Sequence, residues 1–325
     1  MRLHYPDIVD IAYASSAPLK LYAMEADQFG YFDVVSEVAD KASPGCQDAV
    51  RKTLAEVDEA IRASPDHVQF AHDKLNICPG TLPNYIKTND MLSKEVMMIV
   101  EYTFANYNMF FYPPTKDTDL AKLCKAFQND TLDSFGKMGA VWKCLEKLIS
   151  PTLECFDMTS QLPDGPHAHI SGADWSGTGV GYDGMMFDFH CCSTLTPPVG
   201  FSKESMFPYR KWTLEELTEH CLERFNVTPK PRELVKEFKF NDLVGQGATK
   251  ILFTNGMNDI WHVGSYLESL SDELPVINIL NGAHHSDMKY SPQDGLDTED
   301  MDEAHEKITA ILDGWLDEIR ASSRQ

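Results

Sequence analysis

Two short stretches near the C-terminal end hold the residues best suited to proton-transfer chemistry: T-N-G-M-N-D-I-W-H, from Thr254 to His262, and L-N-G-A-H-H-S-D, from Leu280 to Asp287. A carboxylate and an imidazole together make a general base, because the first fixes the tautomer of the second and stabilises its charged form. Asp259 and His284 are the candidates for these parts, with the adjacent His285 competing for the base. Each also has a plainer reading taken alone: Asp259 as a turn-forming carboxylate after Asn255-Gly256, His284 as a loop histidine.

The elements that must position them are legible on either side. Ile251-Leu252-Phe253 and Val276-Ile277-Asn278-Ile279 are short apolar runs that lead into Asn-Gly dipeptides, the pattern of buried strands. Asp259 and His284 then fall just past two strand ends, where catalytic groups collect in an open α/β sheet. Asp followed by His is also the order of the last two triad members in α/β-hydrolases. The expected nucleophile has no counterpart, since G-x-S-x-G occurs nowhere in the 325 residues. At the other end, Met1 to Val9 reads as an amphipathic helix end with a proline stop, and Ile11 to Pro18 as an apolar strand, the succession that follows a nucleophile elbow.

Between these pieces, residues 20 to 245 carry helical periodicity and few convincing strands. Helices are expected over Tyr31 to Lys41, Gly45 to Ala63, Pro65 to Ile77, Ser93 to Asn106, Thr118 to Gln128, Thr131 to Leu148 and Thr213 to Phe225, broken at Pro113-Pro114, Pro163 to Pro166 and Pro197-Pro198. Asp297 to Ile319 closes the chain as a helix with Met301, Ala304, Ile308, Ile311, Leu312, Trp315 and Ile319 on one face and an acidic first turn. The expected fold class is α/β: an incomplete α/β-hydrolase core, lacking the early strands and the nucleophile, with a large helical cap insertion. The core is expected in residues 1–19 and 246–325 and the cap, a helical domain, in 20–245. An unpaired apolar strand edge in such a core predicts aggregation or binding of hydrophobic dye.

In four ordered motifs the sequence resembles the S28 serine peptidases: R-L-H-Y-P with S-S-A-P at the start, F-D-F-H-C-C-S-T (Phe187 to Thr194), N-G-M-N-D-I-W and N-G-A-H-H-S-D. The resemblance runs over nearly the whole chain. It implies a serine exopeptidase of the prolyl carboxypeptidase or dipeptidyl peptidase II type, cutting after proline or small residues near a chain end, with Asp259 and His284 as triad members. It places the base at the first histidine of the pair and the serine upstream of Met1, so the chain by itself is expected to be inactive. The family's usual Asp-Pro-Trp is here Asp259-Ile260-Trp261, which leaves the carboxylate in place but changes the loop.

By the same resemblance, Asp188 between Phe187 and Phe189 lies beside the substrate pocket, where a carboxylate would pair with a substrate's α-ammonium and favour release of dipeptides. The residue also reads as a surface Asp in a Cys-rich turn. Trp261, Phe187 and Phe189 would supply an apolar slot for proline, or are simply core. The implied disulfides are Cys46–Cys124, Cys78–Cys155 and Cys192–Cys221, leaving Cys144 and Cys191 over. A further family disulfide has no cysteine here, near Phe29 or near Gly200.

Composition narrows the setting. The chain has 28 Lys and Arg against 50 Asp and Glu, a net charge of −22, which argues against nucleic acid or anionic membrane as partner. No apolar stretch reaches the roughly 18–20 residues needed to cross a bilayer, and no signal-peptide core follows Met1. Eight cysteines and the sequons at Asn129 and Asn226 favour an oxidising, glycosylating route, so a secreted or lysosomal/vacuolar location is expected. The expected partner is a peptide substrate, with a homodimer as a further expectation.

Other chemistries fit less well. His167-Ala168-His169 and His190-Cys191-Cys192 use zinc-compatible side chains, but no C-x-x-C pair or H-E-x-x-H helix accompanies them. The run from Gly177 to Gly181 lacks the preceding strand and following lysine of a phosphate loop. No metal and no cofactor are therefore expected. The rival functions are a non-catalytic pseudoenzyme that binds or regulates peptides, and a hydrolase using Cys191 or Cys192 as nucleophile, which needs a free thiol of low pKa.

Overall fold

The structure, a computed structural model, describes residues 1–84, 86–149, 154–158, 181–289 and 295–322. His167, His169 and residues 177–180 lie outside the described residues. The chain forms two compact units. One comprises Met1–Asp27, Met109–Thr115 and Pro231–Gln325; the other comprises Gln28–Asn108 and Lys116–Lys230.

The first unit is built on a parallel sheet of three strands, β1 (Ala12–Ser15), β2 (Ile251–Gly256) and β3 (Val276–Ile279), with β2 in the middle. Ala12 pairs with Ile251 and Ser15 with Thr254, while Phe253 pairs with Val276 and Gly256 with Ile279. Every residue of β2 is buried, as a strand covered on both faces requires. Alternation sorts the side chains. Ala12, Ala14, Ile251 and Phe253 face a cluster with Val235, Phe240, Leu243, Tyr266 and Leu274; Tyr13, Leu252 and Ile277 face Met301, Ala304, Ile308 and Trp315. The last four form the apolar stripe of α11 (Glu299–Ser322), the closing helix expected from the sequence.

Two short helices, α1 (Leu19–Tyr22) and α10 (Glu233–Phe238), belong to this unit as well. Residues 231–245 fall in the first unit rather than with the expected cap because Val235, Phe240 and Leu243 cover the sheet, and the Tyr266 hydroxyl donates to the Phe240 carbonyl at 2.8 Å. The unit also takes in residues 20–27 and 109–115. Residues 1–9 are not the expected helix end. They form two turns closed by Tyr5 N–H to Met1 O and Val9 N–H to Tyr5 O, and the Arg2 guanidinium donates to the carbonyls of Pro6, Val9 and Thr249. An N–H missing at Pro6 and an arginine bound across the segment favour turns over a continuous helix.

The second unit is helical: α2 (Gly30–Ala42), α3 (Cys46–Ala63), α4 (His67–Asp73), α5 (Asn89–Met109, whose last residue belongs to the first unit), α6 (Asp119–Phe127), α7 (Ser134–Ile149), α8 (Gly181–His190) and α9 (Leu214–Phe225). A π-helical turn, Cys191–Leu195, extends α8. Side-chain caps start several helices: Asp66 accepts from Val68 and Gln69 N–H, Thr118 from Ala121 N–H and Thr213 from Glu216 N–H. Each such cap is worth about 1 kcal/mol. Phe32 stacks on Phe201 with centroids 4.0 Å apart, and Phe207 meets Phe32, Phe104 and Phe201 edge-on. Three disulfides join Cys46 to Cys124, Cys78 to Cys155 and Cys192 to Cys221.

Candidate active site

Asp259 and His284 meet at the ends of β2 and β3. Beyond Gly256 the chain is drawn towards β3 by Met257 N–H to Ile279 O at 2.9 Å and Asn258 N–H to Gly282 O at 2.8 Å. Asp259, with no solvent exposure, then caps a 3-10 turn, Ile260–Gly264, by accepting from Trp261 N–H on Oδ1 at 3.0 Å. Its other oxygen, Oδ2, lies 2.9 Å from His284 Nδ1. An ionised carboxylate only accepts, so Nδ1 carries the proton and Nε2 is left with its lone pair. Ile260, standing where the family has proline, is fully buried in the capped turn.

Met109 contacts both His284 and the neighbouring Trp261. Its carbonyl accepts from His284 N–H at 3.2 Å, and its sulfur lies 3.3 Å from the indole Nε1 of Trp261. Trp261 is 5 % exposed, with its ring centroid 6.3 Å from that of His284. His262 donates from Nδ1 to the Asp259 carbonyl at 2.6 Å, tightening the same turn.

His285 is turned elsewhere. Its backbone is left-handed, with φ of 53°, its N–H donates to Ser16 Oγ at 3.2 Å, and its Nδ1 lies 3.1 Å from Ser15 Oγ. The rings of His284 and His285 are 3.9 Å apart. Burial, then the charge of His284, pushes the His285 pKa below the ordinary histidine value. Asp287, two residues on, accepts from Ser15 on Oδ1 at 2.8 Å and from Thr254 at 2.7 Å and Tyr13 on Oδ2. Burial, reinforced by the Asp287 hydrogen bond, holds the Tyr13 phenol protonated well above its ordinary range. The sequence reading missed this cluster, although Tyr13 and Ser15 sit two apart on one strand face and Asp287 closes the H-H-S-D motif.

The other predicted site residues lie in the second unit. Asp188 is not a surface residue: it is fully buried, accepts from Arg224 Nη1, and has both oxygens within 3.0 Å of His220 Nε2. A carboxylate so engaged has two partners for its charge inside the protein. Phe189 is exposed and meets Phe225 edge-on at 5.6 Å, while Phe187 is half-buried. Asp188, Cys192 and His220 approach one another closely enough to suggest a metal site, but the Cys192 sulfur is held in a disulfide and is no thiolate ligand. The same bond removes Cys192 as a nucleophile, and Cys191 is 1 % exposed. Asn129 and Asn226 are exposed, with Asn129 Oδ1 accepting from the Thr131 hydroxyl at 2.8 Å. Among the described residues no helix is long and apolar enough to cross a membrane.

A carboxylate and an imidazole paired beyond adjacent parallel strands are the parts of an α/β-hydrolase-like site. The family model described as serine carboxypeptidase S28 matches residues 1–308, and the chain belongs to that family. Among its relatives, lysosomal Pro-X carboxypeptidase of Pongo abelii is 21 % identical over 89 % of this chain and 55 % of its own length. Thymus-specific serine protease of Mus musculus is 25 % identical over 99 % of the chain and 62 % of its own length. Prolyl carboxy peptidase like protein 5 of Caenorhabditis elegans is 24 % identical over 99 % and 64 %. The chain spans about half the length of the Pro-X carboxypeptidases it matches.

Proposed function

We propose that Asp259 and His284 are two members of a serine-peptidase triad, carried on a hydrolase-type core formed by the first unit, with the second unit as its helical cap. The observation that supports this most is the 2.9 Å contact between Asp259 Oδ2 and His284 Nδ1 beyond two parallel strands in a chain of the S28 family. In this mechanism His284 Nε2 takes the proton of a serine hydroxyl as its oxygen attacks the peptide carbonyl. The proton then passes to the leaving amine as the C–N bond breaks, and water repeats the sequence to free the enzyme. Asp259 keeps the imidazole in the tautomer that can accept and stabilises its charged form.

The substrate class that fits is a peptide cut after proline near a chain end, in keeping with the Pro-X carboxypeptidase relatives. Trp261 is the apolar group beside His284 that could line a proline slot. A secreted or lysosomal setting agrees with the three disulfides and with the exposed sequons at Asn129 and Asn226. A homodimer is a further part of the proposal. One other reading is a non-catalytic pseudoenzyme that binds or regulates peptides.

Translating the transcript upstream of the Met1 codon separates the two. A G-x-S-x-G elbow in frame, together with Pro-Xaa peptide hydrolysis by the encoded protein that His284→Ala abolishes, supports the peptidase. A stop codon there, or hydrolysis indifferent to His284→Ala, overturns it.

A further inference from the structure

The cluster below His285 contains a proton-bookkeeping constraint. Asp287 is 5 % exposed, and three hydroxyls from two adjacent strands meet its carboxylate: Tyr13 and Ser15 from β1, Thr254 from β2. Strand register brings them together, since Ser15 is the partner of Thr254. Each hydroxyl has one proton to donate, and an ionised carboxylate can only accept. Ser15 therefore spends its proton on Asp287 Oδ1 at 2.8 Å. Its oxygen, left with lone pairs, still lies 3.1 Å from His285 Nδ1, so that nitrogen must be the donor.

We infer that Ser15 and Asp287 are positioning residues, which through this single hydroxyl relay hold His285 as the Nδ1–H tautomer, turned away from Asp259 and alongside His284. The same tautomer is imposed on His284 directly by Asp259. Two neighbouring imidazoles are thus fixed by two separate carboxylates, and His284 is the ring held by the Asp259 carboxylate. Left-handed backbone at His285 is what sends consecutive rings to different anchors, and the bond from its N–H to Ser16 Oγ secures that turn. Burial and the neighbouring His284 lower the His285 pKa, which disfavours a second charge beside a base that must become charged. The purpose of the relay rests on the proposed role of His284; the tautomer itself does not.

Magic-angle-spinning 15N spectra of the sedimented, histidine-labelled full chain read the tautomers directly, with His284→Gln and His285→Asn used to assign the signals. The expected wild-type spectrum has a protonated Nδ1 on both residues. Ser15→Ala is expected to lose the Nδ1–H signal of His285 while His284 keeps its own. Asp287→Asn lets the new amide donate to Ser15, frees the hydroxyl proton for His285, and converts that ring to Nε2–H. Ser15→Thr keeps the hydroxyl and the wild-type pattern. His285 found as Nε2–H in the wild type, or unchanged in Ser15→Ala, overturns the relay. Should Ser15→Ala or Asp287→Asn not fold, the wild-type and Ser15→Thr spectra still decide. Loss of only the His284–Asp259 signal from the wild type would sink the base assignment and leave the relay standing.

Discussion

Gly256 and Gly282 touch backbone to backbone: a Cβ built on Gly256 would lie 2.5 Å from the carbonyl carbon of Gly282. These are the glycines of the two Asn-Gly dipeptides, and their approach sets how closely the loops bearing Asp259 and His284 can converge. Gly256→Ala must push one loop back, because the obstruction is main chain and no rotamer relieves it. The expected cost is about 1–3 kcal/mol, seen as a lowered melting temperature together with loss of the low-field Nδ1–H resonance of His284. An unchanged melt with that resonance intact would show that the loops have slack.

Asp259→Asn tests the pair itself. The amide can still accept from Trp261 N–H, so the 3-10 turn should survive and the chain should melt within a few degrees of wild type. The low-field His284 signal should vanish. In a catalytically competent form, kcat should fall by a factor on the order of 10⁴, as for loss of the equivalent carboxylate elsewhere. A loss of less than tenfold would reassign Asp259 to turn formation.

Asp188 offers a clean separation of stability from binding. Removing one partner of a buried ion pair leaves the other charged and dry, at a cost of about 3–5 kcal/mol. Asp188→Ala is therefore expected to lower the denaturant midpoint markedly, because Arg224 is 3 % exposed. A variant of wild-type stability with raised KM for substrates bearing a free α-ammonium would mark Asp188 as a specificity residue.

The His285 shift has a definite consequence for pH. Its folded pKa lies below the ordinary 6.5, with burial as the main cause, followed by repulsion from His284 and Lys289 against attraction from Asp259 and Asp287. Below 6.5 the unfolded chain binds the proton more readily, so this contribution to stability is complete above that pH and is lost as pH falls through the folded value. Denaturation curves at pH 7.5 and 5 should differ by less in His285→Asn than in wild type. Asn also tolerates the left-handed backbone at this position. An equal difference in both proteins would place the pH dependence elsewhere.

Much of the site was legible because its signals are local. Ile251 to Phe253 is a continuous apolar run because a strand buried on both faces needs no alternation, Val276 to Ile279 is partly exposed with Asn278 at the surface, and each leads into an Asn-Gly that marks the loop. Asp259 and His284 inherit their places from those strands. What stayed hidden depends on distant partners. The reading of Asp188 stayed open between a surface residue and a pocket-side carboxylate because its partners His220 and Arg224 arrive 32 and 36 positions later. Asp287 gave no local hint of Tyr13 and Ser15, which lie more than 270 positions earlier. The N-terminal turns were mistaken for a helix end because periodicity ignores the bonds that Arg2 makes to Pro6, Val9 and Thr249.

The middle strand of the sheet is encoded long after the edge strand it joins: Ala12 of β1 pairs with Ile251 of β2. At about 5–20 residues per second of synthesis, β1 leaves the ribosome roughly 12–48 s before its partner exists. Throughout that interval Tyr13 and Ser15 lack the strand that carries Thr254, and the helices encoded between the two strands are made first. The pairing of Ser15 with Thr254 therefore waits on the synthesis of all the helices between them, and it should form late as the chain folds during translation.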